Sequence, residues 1–284
     1  MPGVASSRCL GCSTSPNFRS RRLYWTNNAC LPYLDWQSIR AHPKVFLGIS
    51  DITVLLNAIS YKTGLITFHG NDVMWGFGRN PTLYDELEFR ACFIAGRIGE
   101  IPASGERRTI RSGIGQGKLL GGNLNCLLKL AGTTYFPDFT GALLFLEALG
   151  ITPEGCDYLF QQLKQIGVFD QIRGVLIGYI DGLQNYEQAV MQMEDVLLHV
   201  SAEDSFPILK ADDFGHNCPN TVLLVGGEMR MDADRQTIEI LEKCVKWATG
   251  PGFPTSLIGI VCYYTFSRSL VELMVRKTGW NFYW

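Results

Sequence analysis

The chain predicts an α/β fold, the remnant of a parallel α/β N-terminal domain followed by a mixed α/β C-terminal domain with short antiparallel strands. Two observations carry this. Short apolar runs such as Lys44-Val-Phe-Leu-Gly-Ile-Ser50 and Gly141-Ala-Leu-Leu-Phe-Leu-Glu147 alternate with stretches of helical character, as buried parallel strands joined by helices do. Beyond residue 206 the segments shorten, and Glu228-Met-Arg-Met-Asp232 alternates polar with apolar, the pattern of a half-exposed antiparallel strand.

In chain order, residues 1–22 carry four Arg and no acid, a composition like that of a transit peptide, and form an unmatched leader. Residues 44–50 read as a strand, with Ser50 and Asp51 as natural N-caps for a helix over 52–61 that stops at Gly64. Residues 65–69 form the next strand. The Gly- and Pro-containing stretch 76–112 reads as a connection with a helix near 86–95. Residues 113–124 are glycine-rich, with close backbone packing in a turn at 121–124, and lead into a helix over 124–130. A strand at 142–147, a helix at 153–166 with Pro153 in its first turn, a strand at 173–180 and a helix at 186–200 follow. Short strands at 206–210, 221–225, 228–232 and 236–241 close the organised part. The expected division is a leader at 1–22, a partial N-terminal domain at 23–75, a connection at 76–112, a C-terminal domain at 113–241 and a tail at 242–284.

At 284 residues, 46% hydrophobic and 12% aromatic, the chain can bury a sizeable core. A net charge of -2 lacks the basic excess that binds phosphate backbones, so nucleic acid is not an expected partner. Nine cysteines, odd in number and irregularly spaced, argue against a disulfide framework and for a reducing, cytoplasmic setting. The lone Cys9-x-x-Cys12 lacks the second pair that a zinc site would need. The most apolar stretch, 257–266, ends before Arg268 and is too short to cross a bilayer, so no membrane partner is expected.

Chemistry-bearing side chains stand at strand ends, where open α/β sheets place their sites. Glu147 closes a buried run, either as an ion-pair member or as an acid orienting a histidine. His216 lies in the turn-rich Asp213-Phe-Gly-His-Asn-Cys-Pro-Asn220, where it either faces water or serves as a general base. His69 ends a strand before Gly70, suited to substrate contact or to a structural hydrogen bond. His42 and His199 read as surface residues. Ser50 follows a strand and precedes a helix, but Gly48-Ile-Ser50-Asp-Ile52 lacks the second glycine of a nucleophile elbow, which favours a helix cap. Gly113-Ile-Gly-Gln-Gly-Lys118 fails as a phosphate loop, with Ser112 where the first glycine belongs and Leu119 after the lysine.

Several segments in order resemble the LD-carboxypeptidases, the family of muramoyl-tetrapeptide carboxypeptidases and microcin-immunity peptidases. They are Leu31-Pro-Tyr-Leu-Asp-Trp36, Pro43-Lys-Val-Phe-Leu-Gly-Ile-Ser-Asp-Ile-Thr53, Thr67-Phe-His-Gly70, Gly117-Lys-Leu-Leu-Gly-Gly-Asn-Leu124, Leu144-Phe-Leu-Glu147, Gly174-Val-Leu-Ile-Gly178 and Asp213-Phe-Gly-His216. The set spans roughly residues 31–241. The resemblance implies a Ser–His–Glu triad in which Glu147 and His216 supply the acid and the base, with His69 and Asn28 near the substrate. It implies a serine hydrolase that cuts an amide bond next to a free carboxylate in a small peptide, and that needs no cofactor. The family's Gly-Gly-aromatic-x-Ser-Asn turn falls on Leu23-Tyr-Trp-Thr-Asn-Asn28, so Asn27 occupies the nucleophile position and both glycines are gone. The expectation is therefore a hydrolase by descent, N-terminally truncated relative to the family and impaired by Asn27. The alternative is a non-catalytic relative that binds peptides. A homodimer is compatible with either.

Overall fold

The computed structural model describes residues 27–244; the leader at 1–22, the turn residues 23–26 and the tail beyond 244 lie outside them. The described chain opens with a tight helical segment, Asn27–Tyr33, and then α1 (Trp36–Ala41), where the Asp35 side chain caps the Ser38 N–H at 3.0 Å. Next come β1 (Leu47–Gly48), a helical turn (Ser50–Ile52), α2 (Thr53–Thr63) and β2 (Thr67–His69). Gly64 ends α2 at φ 74, the left-handed conformation a helix stop favours in glycine. β1 pairs with β2 in parallel, Leu47 opposite Phe68 and Gly48 opposite His69. Hydrogen bonding confines β1 to two residues of the expected 44–50.

α3 (Leu83–Phe93) is opened by a reciprocal capping box between Thr82 and Asp85. The stretch 76–112, read as a connection, also yields β3 (Gly99–Glu100) and β4 (Arg107–Arg111). β5 (Ile114–Asn123), α4 (Leu124–Leu128), β6 (Leu143–Leu149), α5 (Pro153–Gln165), β7 (Gly174–Asp181), α6 (Met193–Val200) and β8 (Ile208–Gly215) follow. The chain finishes with β9 (Leu223–Val225), β10 (Glu228–Asp232) and β11 (Thr237–Ile240). α6 starts seven residues later than expected from position 186, where a Gln192–Asp195 capping box sets its first turn.

Two sheets result. One has the order β1-β2-β9; the other, of eight strands, runs β3-β11-β10-β5-β6-β7-β8-β4. Its centre, β5 to β8, is parallel, and its flanks are antiparallel. The fold class is thus the mixed α/β arrangement expected, and the short strands 228–232 and 237–240 form the antiparallel flank. The parallel strands are apolar on both faces, with Leu144, Phe145, Leu146, Val175, Ile177 and Leu209 excluded from water. The edge strands β3 and β4 are short, and β4 carries Arg107, Arg108 and Arg111, features that discourage pairing with another chain. Among the described residues no helix is long and apolar enough to cross a membrane.

The glycine-rich stretch is not a turn but the ten-residue strand β5. Its glycines permit close approach. A Cβ on Gly121 would run into the Phe145 carbonyl of β6, and one on Gly122 into the Thr53 side chain of α2. Where β5 passes beyond β10, helix α2 takes over its hydrogen bonding. The buried Asn57 side chain donates to the Gly121 carbonyl at 2.7 Å and accepts from the Gly121 N–H at 3.1 Å, while Thr53 Oγ1 accepts from the Asn123 N–H at 3.0 Å. These three bonds fasten the first half of the chain to the large sheet.

Candidate active site

The site is built at the carboxyl ends of β6 and β8. Successive strand residues point to opposite faces, so Phe145 and Glu147 share one face of β6. Glu147 is fully buried. β8 ends at Gly215, whose φ of 136 and close approach to the Tyr179 carbonyl leave no room for a side chain. His216 follows at once, so the strand delivers the imidazole directly to the sheet edge. Asn220 secures the turn, accepting from the Gly215 N–H at 2.9 Å and donating to the carbonyls of Gly215 and Cys218 at 3.0 and 2.8 Å. The Asn220 N–H is in turn held by Asp85 of α3 at 2.6 Å. Asn217, at φ 58, donates to Asp181 at the end of β7 at 3.0 Å.

This scaffold brings His216 Nδ1 to 2.6 Å from Glu147 Oε2. The imidazole is 14% exposed, so it joins a buried carboxylate to the protein surface. Burial by itself would lower the histidine's pKa, but the hydrogen bond to Glu147 and its charge, with Asp181 and Asp72 adding, hold it above its ordinary value. With Nδ1 donating to a carboxylate, the neutral ring carries its lone pair on Nε2, the tautomer a general base requires.

His69, at the end of β2, is excluded from solvent, and neither ring nitrogen has a hydrogen-bond partner among the described residues. Burial pushes its pKa down to about 4, with Glu147 acting against that and His216 with it. It is neutral near neutral pH. Its ring meets Phe145 edge-on at a centroid distance of 5.1 Å and Phe214 at 6.1 Å. His69 therefore packs against Phe145 and Phe214, each two residues before a member of the Glu147–His216 pair.

Asn27 is half-buried, and its backbone N–H donates to Asp51 Oδ2 at 2.9 Å. The other oxygen of Asp51 accepts from Lys129 Nζ at 2.5 Å. Asn28 is half-buried beside it. The expected capping role of Ser50 and Asp51 does not occur. Asp51 instead anchors the backbone of Asn27, while the residue before α2 is Ile52, with no side-chain cap. Ser50 is at φ 67, a left-handed conformation rare outside glycine. The anchoring residues Asp51, Lys129, Asp181 and Asn217 were not singled out by sequence as site residues, because their partners lie far along the chain. His42 and His199 are exposed, as expected. Among the described residues no three His, Cys, Asp or Glu side chains converge as a metal site.

A carboxylate-oriented histidine at the strand ends of an α/β sheet is the arrangement of a hydrolase-type site. The LD-carboxypeptidase N-terminal domain matches residues 25–70 and the LD-carboxypeptidase C-terminal domain matches residues 116–231. A putative carboxypeptidase of Vibrio cholerae is 30% identical over 247 residues, covering 78% of this chain and 73% of its own length. The microcin C7 self-immunity protein MccF of Escherichia coli is 30% identical over 245 residues, covering 76% of this chain and 71% of its own. A structure of MccF in complex with glutamyl sulfamoyl guanosine superposes with a TM-score of 0.68 at 28% identity, over 77% of this chain and 73% of that one. The chain belongs to the LD-carboxypeptidase family.

Proposed function

We propose that the chain is an LD-carboxypeptidase-type hydrolase by descent that binds a small peptide with a free carboxylate and lacks the group needed for covalent catalysis. The observation that carries this reading is the 2.6 Å contact of His216 Nδ1 with Glu147 Oε2. In this assignment Glu147 holds the imidazole in its Nε2-basic tautomer and stabilises the imidazolium. His216 is then able to take a proton from an attacking hydroxyl and return it to the leaving amine. The attacking hydroxyl is missing at the position that matches the family's nucleophile. Asn27 stands where the family places serine, and a side-chain amide has no oxygen that a base can activate. The glutamyl sulfamoyl guanosine and aspartyl sulfamoyl adenosine bound in related MccF structures support a small ligand with an amino-acyl group for this site.

The same substitution favours a second reading, a peptide-binding relative without turnover. One experiment separates the two. The chain is titrated with an L,D-tetrapeptide by calorimetry, and release of the terminal amino acid is followed in parallel. Saturable binding with slow release that His216→Ala abolishes is expected of the impaired hydrolase, whereas saturable binding with no release above the uncatalysed rate is the outcome of the second reading. Release at an ordinary enzymatic rate overturns the assignment of Asn27, and absence of both binding and release overturns the substrate class.

A further inference from the structure

Glu147 uses one carboxylate oxygen for His216; the other, Oε1, is buried and has no hydrogen-bond partner among the described residues. The same is true of both ring nitrogens of His69. Three such atoms belong to two fully buried side chains that share one patch of the interior. His69 stacks edge-on against Phe145, which stands two residues before Glu147 on the same face of β6. It also lies within electrostatic reach of both Glu147 and His216.

A buried polar atom without a partner costs roughly 1–3 kcal/mol, and proteins satisfy such atoms with ordered water when two or more polar groups converge. We propose that His69 is a positioning residue for Glu147, its imidazole N–H donating through one bound water to Oε1, the carboxylate oxygen that His216 does not use. The carboxylate is then held from both sides, by His216 at Oε2 and by the His69-bound water at Oε1. A neutral ring suits this task, since it offers one N–H donor without placing a second positive charge beside His216. The Phe145 and Phe214 rings fix its orientation.

The proposal rests on the reading of Glu147 and His216 as the acid–base pair. Its test is a titration rather than turnover, so a chain that hydrolyses nothing still decides it. When His216 loses its proton, the Glu147 charge loses its compensating partner, and a donor at Oε1 stabilises that state most. Removing the donor therefore raises the pKa of His216. In the full chain, His69→Phe, which keeps an aromatic ring of similar size, is expected to raise the His216 pKa read by NMR by about one unit. His69→Gln, which retains an N–H, is expected to leave it within roughly a few tenths of a unit. An unmoved His216 titration in a folded His69→Phe chain overturns the proposal, as do equal shifts in both variants. Should His69→Phe fail to fold, the unmodified chain decides. Its His69 ring N–H is expected to show a cross-peak to a long-lived water, and a ring N–H without one overturns the proposal.

Discussion

Asn57 and Gly121 lie 64 residues apart in sequence and share two hydrogen bonds, the side-chain amide of one satisfying both backbone groups of the other. The pair carries helix α2 onto strand β5 where β5 has lost its strand neighbour β10. It also explains why α2 is buried on nearly every side, with nine of its eleven residues inside.

Asn57→Leu, which keeps the volume and removes both partners, leaves a buried N–H and a buried carbonyl unsatisfied. A loss of about 2–6 kcal/mol is expected, at roughly 1–3 kcal/mol for each orphaned group. Urea unfolding followed by circular dichroism measures it as a lower midpoint at unchanged slope. A change below about 0.5 kcal/mol, the scale of an ordinary surface substitution, would show that the clamp is not needed.

Sequence reading recovered elements whose signals are local. Gly64 stops α2, Pro153 opens α5, and the apolar runs of β6 and β7 are strands. It missed what distant partners decide. Residues 113–124 have the composition of a loop, yet they form a central strand because Asn57, Thr53 and β6 supply hydrogen bonds and require the space that glycine leaves. Ser50 and Asp51 have the residue types of helix caps, but a competing contact to the backbone of Asn27 claims Asp51. The meeting of Glu147 with His216 followed from the family resemblance, since position alone left each with an ordinary structural alternative.

The His216 pKa is raised chiefly by its contact with Glu147, so Glu147→Gln should remove that support and leave burial opposed only by the weaker charges of Asp181 and Asp72. The imidazole is then expected to titrate below its ordinary value of about 6.5. Because the folded value in the unmodified chain lies above the unfolded one, this pair's stabilisation is full below the unfolded pKa and fades as pH rises through the folded one. NMR titration of the ring protons gives the shift. An unchanged titration in the Gln variant would mean that Glu147 does not set it.

His69 works with the opposite sign. Its folded pKa is about 4, against an unfolded 6.5, so the unfolded chain binds the extra proton between these values. Stability is therefore lost as pH falls from 6.5 towards 4, by about 3 kcal/mol over the window. Urea midpoints at pH 7 and pH 4.5 in the unmodified chain and in His69→Gln measure this share. The Gln variant should show a shallower acid decline, and parallel curves would refute the assignment.

Ser50 holds a left-handed backbone between β1 and α2. A β-branched side chain is strained there whatever surrounds it, so Ser50→Val should lower stability by about 1–3 kcal/mol. Ser50→Gly removes the Cβ penalty and should be neutral or stabilising by up to about 1 kcal/mol. Thermal melts of the two variants decide the matter. Equal melting temperatures would mean that the conformation relaxes at little cost.

The last prediction concerns the nucleophile position. A fluorophosphonate probe reports an activated serine hydroxyl, and Asn27 has none for His216 to activate, so the unmodified chain should not label. Restoring the hydroxyl by Asn27→Ser should recover little. A serine nucleophile works in a turn that exposes it and aims backbone N–H groups at the developing oxyanion, and loss of one such donor costs on the order of a hundredfold to a thousandfold in rate. In the alignment proposed above, Leu23 and Tyr24 stand at the two glycine positions, and any residue with a Cβ has fewer backbone conformations open to it than glycine. The triple change Leu23→Gly, Tyr24→Gly and Asn27→Ser should therefore label faster than Asn27→Ser alone. A further His216→Ala change should abolish that labelling, since it removes the base while leaving the serine in place. Labelling of the unmodified chain would instead direct attention to Thr26 or to Ser50. Labelling that survives His216→Ala would show that this histidine is not the base.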